Sequence, residues 1–206
     1  MQILKLEPCR TSRVKVYLEE DRPSFVLYEK EIRQYGLKEG GELSADVYDE
    51  ILENVLIKRA RNRALYLLAR QGRTEWQLRK KLEEGFYPEE AVEAAISYAK
   101  KLHYLDDAYY AENFAEVRTR KKSRRMVEME LLSRGISRET AGAAIEGLET
   151  DEKDTIKRLV LQKFPEPGQA DFLQAQKFLR SLIMKGFRYD DCRDVMNEEC
   201  IKLDRD

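Results

Sequence analysis

Leu82-Glu83-Glu84-Gly85-Phe86 is the first of three similar pentapeptides in this chain. The others are Leu132-Ser133-Arg134-Gly135-Ile136 and Ile183-Met184-Lys185-Gly186-Phe187, each about fifty residues after the one before. Each has an apolar residue, two further residues, a glycine and a large apolar residue, and each ends an amphipathic run that another run follows. This period predicts one helical unit copied three times, an architecture that usually presents long binding surfaces and no single catalytic pocket.

The chain after Asp46 has helical apolar spacing throughout. We predict a tandem array of three three-helix repeats, about nine helices in all, in residues 50–104, 105–149 and 150–206. The first apolar residue of each pentapeptide should be core, and each glycine should end a helix, Gly85 with a positive φ. The predicted helix N-caps are Ser44, Thr74 with Gln77 in a capping box, Asp106, and Ser137.

Residues 1–49 differ from the rest of the chain. Arg13–Leu18 alternates polar and apolar residues, and Phe25–Tyr28 is a second apolar run after a turn-like segment at 19–24. These features predict a small antiparallel sheet of two or three strands, followed by a short helix, Glu29–Tyr35. Because so small a sheet is marginal in water, it should pack against the helices. The predicted fold class is therefore mainly α, with an N-terminal β extension.

The composition points to a soluble protein of the cytoplasm. The 38 basic and 39 acidic side chains give a net charge of −1, which argues against a polycation but permits local basic patches. Cys9, Cys192 and Cys200 are odd in number and lack motif spacing, so we expect no disulfide framework and a reducing compartment. No apolar stretch approaches the roughly 20 residues that span a bilayer. We expect a monomer with no membrane contact.

Catalytic patterns are missing from the sequence. His103 is the only histidine, no set of metal ligands converges, and no glycine-rich phosphate loop or nucleophile elbow is present. The pairs Asp106-Asp107 and Asp190-Asp191 could serve acid–base or Mg²⁺ chemistry, but helix starts explain them better. Trp76 is expected in the core. We predict a protein that is not an enzyme and needs no cofactor or metal.

Two basic clusters are the better candidates for a site. Six like charges in one run are costly unless a polyanion or an acidic protein surface accepts them, although a solvated helix junction is an equal alternative. The nearby aromatics Tyr109, Tyr110 and Phe114 could stack on bases, but their spacing favours core packing. The candidate residues are Arg59, Arg61 and Arg63, next to Lys58; Arg118, Arg120, Lys121, Lys122, Arg124 and Arg125; and Asp106 and Asp107 as acidic neighbours.

Several segments resemble the RecX family of regulatory proteins. Ala64–Arg70 with Thr74–Leu82 is similar to the opening repeat of that family, and Leu105–Ala111 is the most specific match. Glu130–Ile136 resembles the central motif. The likeness is strong over roughly residues 50–150 and weaker beyond. One departure is Ser123, where many relatives carry glycine.

The resemblance implies a regulator without catalytic activity. RecX proteins bind RecA recombinase filaments on single-stranded DNA, lie along the filament groove, and inhibit its ATPase, strand-exchange and co-protease activities. Membership would therefore imply a role in DNA repair, homologous recombination and the SOS response, with RecA as partner and single-stranded DNA as a further contact. The residues alone leave an alternative open: an autonomous DNA-binding module that docks a helix in the major groove. A generic helical scaffold is a third reading.

Overall fold

Helices form most of the chain, and a small β-sheet lies at its N-terminus. The computed structural model describes residues 1–9, 11–18, 24–148, 151–166, 170–199, 201 and 203. The chain divides into two compact units, Met1–Asp106 and Asp107–Asp206. The predicted fold class is confirmed, whereas the division of the chain at residues 49, 104 and 149 stays a prediction.

The N-terminal sheet is antiparallel, as predicted, with its strands in chain order. Val14 and Val16 alternate with polar residues and are buried, as a sheet with one solvated face requires. Phe25 and Leu27 continue this apolar face into the core of the first helices, so the sheet leans on them as expected. The elements are β1 (Lys5–Cys9), β2 (Arg13–Tyr17), β3 (Phe25–Tyr28) and the short helix α1 (Glu29–Gln34). The predicted turn at 19–24 lies outside the described residues except for Ser24.

A continuous helical run begins where the sequence predicted it. It consists of α2 (Ala45–Ile51), a π-helical segment (Leu52–Leu56) and α3 (Ile57–Arg70). The Ser44 hydroxyl caps it by accepting a hydrogen bond from the Val47 N–H at 3.3 Å. The sequence pattern did not predict the π segment. It lets two fully buried residues five positions apart, Ile51 and Leu56, face the same core.

The first three-helix repeat is formed by α3, α4 (Glu75–Glu83) and α5 (Glu89–Lys101). The predicted capping box is present: the Thr74 hydroxyl accepts from the Gln77 N–H at 3.2 Å, and the Gln77 side chain accepts from the Thr74 N–H at 3.4 Å. Small buried residues of α3 and α5 let these two helices pack closely.

The second unit contains the other two repeats, each with its own apolar core. Ser137 caps one helix by accepting from the Thr140 N–H at 3.0 Å, and Asp151 caps another by accepting from the Lys153 N–H at 2.9 Å. The predicted break at 165–168 is described only as far as Glu166. The helices are α6 (Asp107–Thr119), α7 (Arg124–Ser133), α8 (Arg138–Glu146), α9 (Glu152–Lys163), α10 (Phe172–Met184) and α11 (Tyr189–Glu198).

The turns that follow α4, α7 and α10 contain the three pentapeptides and share one hydrogen-bonding pattern. This pattern corrects the alignment of the pentapeptides. The carbonyls of Leu82, Leu131 and Leu182 accept from the N–H five residues on, at 3.4, 3.2 and 3.3 Å. All three leucines are fully buried. Phe86 (φ 58°), Gly135 (φ 81°) and Gly186 (φ 91°) therefore occupy the same left-handed position. The first pentapeptide therefore begins at the buried leucine, whereas the other two begin one residue after it.

Two predictions about these turns were consequently wrong, and a third was only partly right. Gly85 does not have a positive φ, because the following Phe86 takes the left-handed conformation. Ile183 is 41% exposed, because the buried position equivalent to Leu82 belongs to its neighbour Leu182. Leu132 is only partly buried against its core for the same reason.

Candidate partner-binding surface

The predicted basic run lies at the junction of α6 and α7. Arg118 is in the last turn of α6, and Arg124 opens α7, with the other cations between or beside them. Ser123 caps α7 by accepting from the Met126 N–H at 3.2 Å. We call the six cations at 118–125 the basic junction.

Acids from the flanking helices neutralise half of the basic junction. Glu130 of α7 forms an ion pair with Lys122 through one carboxylate oxygen, and its other oxygen lies 3.9 Å from Arg118 Nε. Arg120 pairs with Glu116 one helical turn earlier, at 2.8 Å. Although the run 118–125 contains no acidic residue, the folded chain therefore places acidic side chains beside it.

Arg124 has a structural role as well. Its guanidinium donates a hydrogen bond to the Leu148 carbonyl at 2.7 Å, and its backbone N–H donates to Glu152 at 2.6 Å. By contrast, Lys121 and Arg125 are exposed, and no acidic side chain in the described part of the chain pairs with them. These two cations are the ones most available to a partner.

Ser123, the departure from the family pattern, is buried within the second unit. Its N–H donates to the Lys185 carbonyl at 3.0 Å, so the start of α7 is tied to the turn between α10 and α11. A Cβ on Gly186 would lie 2.4 Å from the Ser123 hydroxyl oxygen, far inside van der Waals contact. Glycine at 186 is thus required by close packing as well as by its φ.

The predicted acidic neighbours are not assembled with the basic junction. Asp106 directly precedes α6, and Asp107 is the first residue of that helix. At 1.5 Å per residue, roughly 17 Å of helix separates Asp107 from Arg118. Asp190 and Asp191 also lie in the first turn of a helix, where a carboxylate is stabilised by the helix dipole.

The first basic cluster contains one residue with a clear structural role, Arg59, and others without an acidic partner among the described residues. Arg59 pairs with the nearly buried Glu31 at 2.7 Å, donates to the Val26 carbonyl at 3.2 Å, and lies over the Tyr28 ring. It therefore fastens α3 to the N-terminal segment. Arg61 lies 5.2 Å from the Tyr98 ring centroid, and its buried Nε has no hydrogen-bond partner among the described residues.

The aromatic predictions were partly right. Tyr110 and Phe114 stack on each other, 6.0 Å between centroids, and pack against the core as expected. Tyr109 is 67% exposed and Trp76 is 40% exposed, so the core placement predicted for these two was wrong. Lys80 covers the indole ring of Trp76 at 3.9 Å.

His103 and the cysteines are the other groups considered for chemistry. His103 is exposed and lies two residues after α5, with a left-handed backbone, φ 57°. Burial raises the pKa of the Cys192 thiol to about 12, and Cys200 lies outside the described residues. No group of three or more His, Cys, Asp or Glu side chains in the described ranges could hold a metal ion. Among the described helices, none combines the length and the hydrophobicity that a membrane span requires.

Comparison with known proteins finds a family match at each of the first two repeats. The family model described as the first three-helix domain of RecX matches residues 60–98, and that of the second three-helix domain of RecX matches residues 106–145. The chain is 29% identical to regulatory protein RecX of Caldanaerobacter subterraneus subsp. tengcongensis over 197 residues, or 95% of this chain and 97% of the relative. It is 26% identical to regulatory protein RecX of Clostridium perfringens strain 13, covering 94% and 92% of the two chains.

Solved structures show the same similarity. A crystal structure of a regulatory protein RecX aligns with a TM-score of 0.58 at 26% identity, covering 95% of this chain and 98% of that one. The crystal structure of RecX from Lactobacillus salivarius aligns with a TM-score of 0.57 at 24% identity, covering 69% of this chain and 96% of that one, and it supports the fold alone.

Proposed function

Because this chain belongs to the RecX family of regulatory proteins, we propose that it binds filaments of the recombinase RecA on single-stranded DNA. Binding inhibits the ATPase, strand-exchange and co-protease activities of the filament. The protein thereby restrains recombinational DNA repair and the SOS response. It acts in the cytoplasm, as a monomer and without catalysis of its own.

The observation that carries this proposal is the extent of the similarity. The alignment with a regulatory protein RecX spans 95% of this chain and 97% of the relative, so the similarity extends well beyond the two segments that the family models match. The relatives are named regulatory proteins, which supports a role through binding.

We further propose that the basic junction contacts the filament. Lys121 and Arg125 are its strongest members, because their charges are exposed and unpaired in the described part of the chain. Arg118, Arg120 and Lys122 remain candidates, but a partner must compete with Glu116 and Glu130 for them. An unpaired surface cation gains more from a new anionic partner than one already in a pair.

ATP hydrolysis by RecA filaments on single-stranded DNA, titrated with this protein, tests the proposal. We expect inhibition by the wild type and about tenfold weaker inhibition by Lys121→Ala/Arg125→Ala, equivalent to the loss of two modest charge contacts. The matched control Lys157→Ala/Arg193→Ala removes two cations that are paired with Glu199 and Asp194 and should inhibit like the wild type.

The outcomes separate the function from the site. A wild-type protein that neither binds nor slows the filament at saturation would refute the proposed function. Full inhibition by Lys121→Ala/Arg125→Ala would instead show that the basic junction is solvated surface and that another face meets RecA.

A further inference from the structure

A cavity with a volume of about 890 Å³ lies beside the turn from α4 to α5. This volume falls within the range of roughly 300–1,000 Å³ that is typical of small-molecule sites. Its wall combines residues of that turn and of both helices with Tyr48 of α2 and with residues of the N-terminal segment. We call it the α4–α5 cavity. Its described lining residues all belong to Met1–Asp106, so it lies within one compact unit.

Three carboxylates line the α4–α5 cavity without a cationic partner in the described part of the chain. Glu83 is the last residue of α4, and Glu89 and Glu90 open α5. All three residues are exposed. The ion pairs formed nearby, such as that between Lys81 and Glu84, do not involve them. Their charges are therefore available to a ligand.

Helix stability explains two of these carboxylates but not the third. The dipole of α5 stabilises Glu89 and Glu90 at its amino end, whereas the dipole of α4 disfavours Glu83 at its carboxyl end. The two helix ends that border the cavity carry opposite partial charges. The carboxylates therefore decide the sign of the electrostatic potential there.

The cations of the cavity wall do not cancel this negative charge. Arg79 already pairs with Glu75 at 3.3 Å and with Glu93. The terminal ammonium of Met1 donates to the Leu43 carbonyl at 2.8 Å and supplies one positive charge against the three carboxylates. The described wall thus has a negative balance, which favours a cationic ligand.

Aromatic rings form much of the apolar part of the wall. Tyr48, Phe86 and Tyr87 line the cavity, and each is half-buried. Burial raises the pKa of both tyrosine hydroxyls, and Glu90 raises the pKa of Tyr48 further, so the two rings stay neutral at pH 7. Neutral aromatic faces attract cations and also pack against aliphatic chains.

Phe86 is an unusual choice at its position. Its backbone is left-handed, φ 58°, where the equivalent residues of the turns after α7 and α10 are Gly135 and Gly186. This conformation is rare and unfavourable for a bulky side chain. Two turns avoid that cost with glycine, whereas this one keeps a phenylalanine that lines the cavity. Residues in unfavourable backbone conformations cluster at functional sites.

We propose that the α4–α5 cavity binds a flexible aliphatic polyamine. Its ammonium groups pair with Glu83, Glu89 and Glu90, and its methylene chain lies against the rings of Phe86 and Tyr48. These carboxylates are not among any group in the described ranges that could hold a metal ion, so the ligand must carry its positive charges apart, as a polyamine does. Binding does not involve RecA, so the proposal can fail separately from filament regulation.

Isothermal titration calorimetry with spermidine tests the charge pattern. Glu83→Gln/Glu89→Gln/Glu90→Gln should bind spermidine about tenfold more weakly, because three charge pairs of modest strength are lost. The control removes the same charge from exposed glutamates that do not line the cavity and should bind like the wild type: Glu50→Gln/Glu53→Gln/Glu112→Gln.

Hexaamminecobalt(III) separates a fitted ligand from diffuse attraction, because it carries the charge of spermidine in a compact form. It should bind the wild type about tenfold more weakly than spermidine does, since it cannot reach separated carboxylates at once. Equal affinity for the two cations would overturn the proposal.

Phe86→Gly tests the aromatic wall. The variant should fold, because glycine is the residue at the equivalent position of the other two turns, and circular dichroism should show unchanged helicity. It should bind spermidine about two- to fivefold more weakly, the range for loss of one exposed cation–aromatic contact. A ring that serves only to pack against Lys15, which lies 5.2 Å from its centroid, would leave spermidine binding unchanged and contradict the proposal.

Three further results would overturn the proposal. The first is a wild-type protein that spermidine does not saturate at millimolar concentration. The second is an equal loss of affinity in the cavity variant and in its charge-matched control. The third is a lysine-rich peptide that binds through the three cavity glutamates where spermidine does not, which would make the cavity a protein-docking groove.

Discussion

Replacement of Gly186 by alanine should destabilise the second unit far more than the same change at Gly85. At Gly186 the left-handed backbone costs a side chain about 1–2 kcal/mol. The new Cβ would also lie 2.4 Å from the Ser123 hydroxyl oxygen and 2.9 Å from Met126 Cβ, an overpacking that costs about 1–3 kcal/mol. The sum is about 2–5 kcal/mol.

Gly85 is the matched control, because the sequence pattern places it at the equivalent position. Its backbone φ is not positive, and an added Cβ would lie 3.1 Å from the Leu82 carbonyl oxygen and from the Tyr87 ring. The entropy that alanine removes from the unfolded chain offsets part of this tight contact, so we expect a change below about 1 kcal/mol.

Peptide-resolved hydrogen exchange is the suitable assay, because a chain with two units need not unfold in one transition. Gly186→Ala should lower protection in α10 and α11. Ser123→Gly costs only a few tenths of a kcal/mol as a cap change, and it should recover about 1 kcal/mol of the Gly186→Ala loss, because the clashing oxygen is gone. Equal effects at Gly85 and Gly186, or no coupling to Ser123, would refute the assigned register.

Three further predictions follow from burial and pairing. Leu182→Ala should cost about 2–5 kcal/mol in urea unfolding, whereas Ile183→Ala, at a site that is 41% exposed, should cost less than about 1 kcal/mol; equal costs would contradict the placement of the core. Arg59→Ala should cost about 2 kcal/mol, because it leaves Glu31 almost buried without its cation, and Arg59→Ala/Glu31→Gln should recover part of that loss if the pairing is the cause. Cys192 should resist iodoacetamide at pH 8 until the protein unfolds, because a thiol with a pKa of about 12 is almost wholly protonated there; mass spectrometry showing rapid alkylation of the native protein would refute its burial.

The positions of helices could be predicted from the chain because their signals are local. Ser44, Thr74 and Ser137 each cap the N–H three residues ahead, as predicted. Such caps and the 3.6-residue apolar period involve neighbours within about one turn of helix. The three helical repeats and the N-terminal sheet follow from the same kind of information.

The candidate site was less predictable, because charge is neutralised through space. Glu130 lies beyond the run of cations in the sequence but folds back on Arg118 and Lys122, and Arg59 reaches Glu31 across 28 residues. A sequence window shows which residues are charged, whereas the approach of other elements determines which charges stay free. The cluster at Arg59–Arg63 therefore contains Arg59, which pairs with Glu31, and Arg63, for which the described part of the chain supplies no acidic partner.

The chain's local patterns thus suffice for its helices, caps, repeats and mainly helical class, since each depends on residues within a few positions of one another. Packing between elements set the rest: the one-residue shift at Phe86, the exposure of Ile183, the need for glycine beside Ser123, and the neutralisation of half of the basic junction. Burial and ion pairing depend on distances between segments far apart in sequence, and only the folded chain fixes those distances.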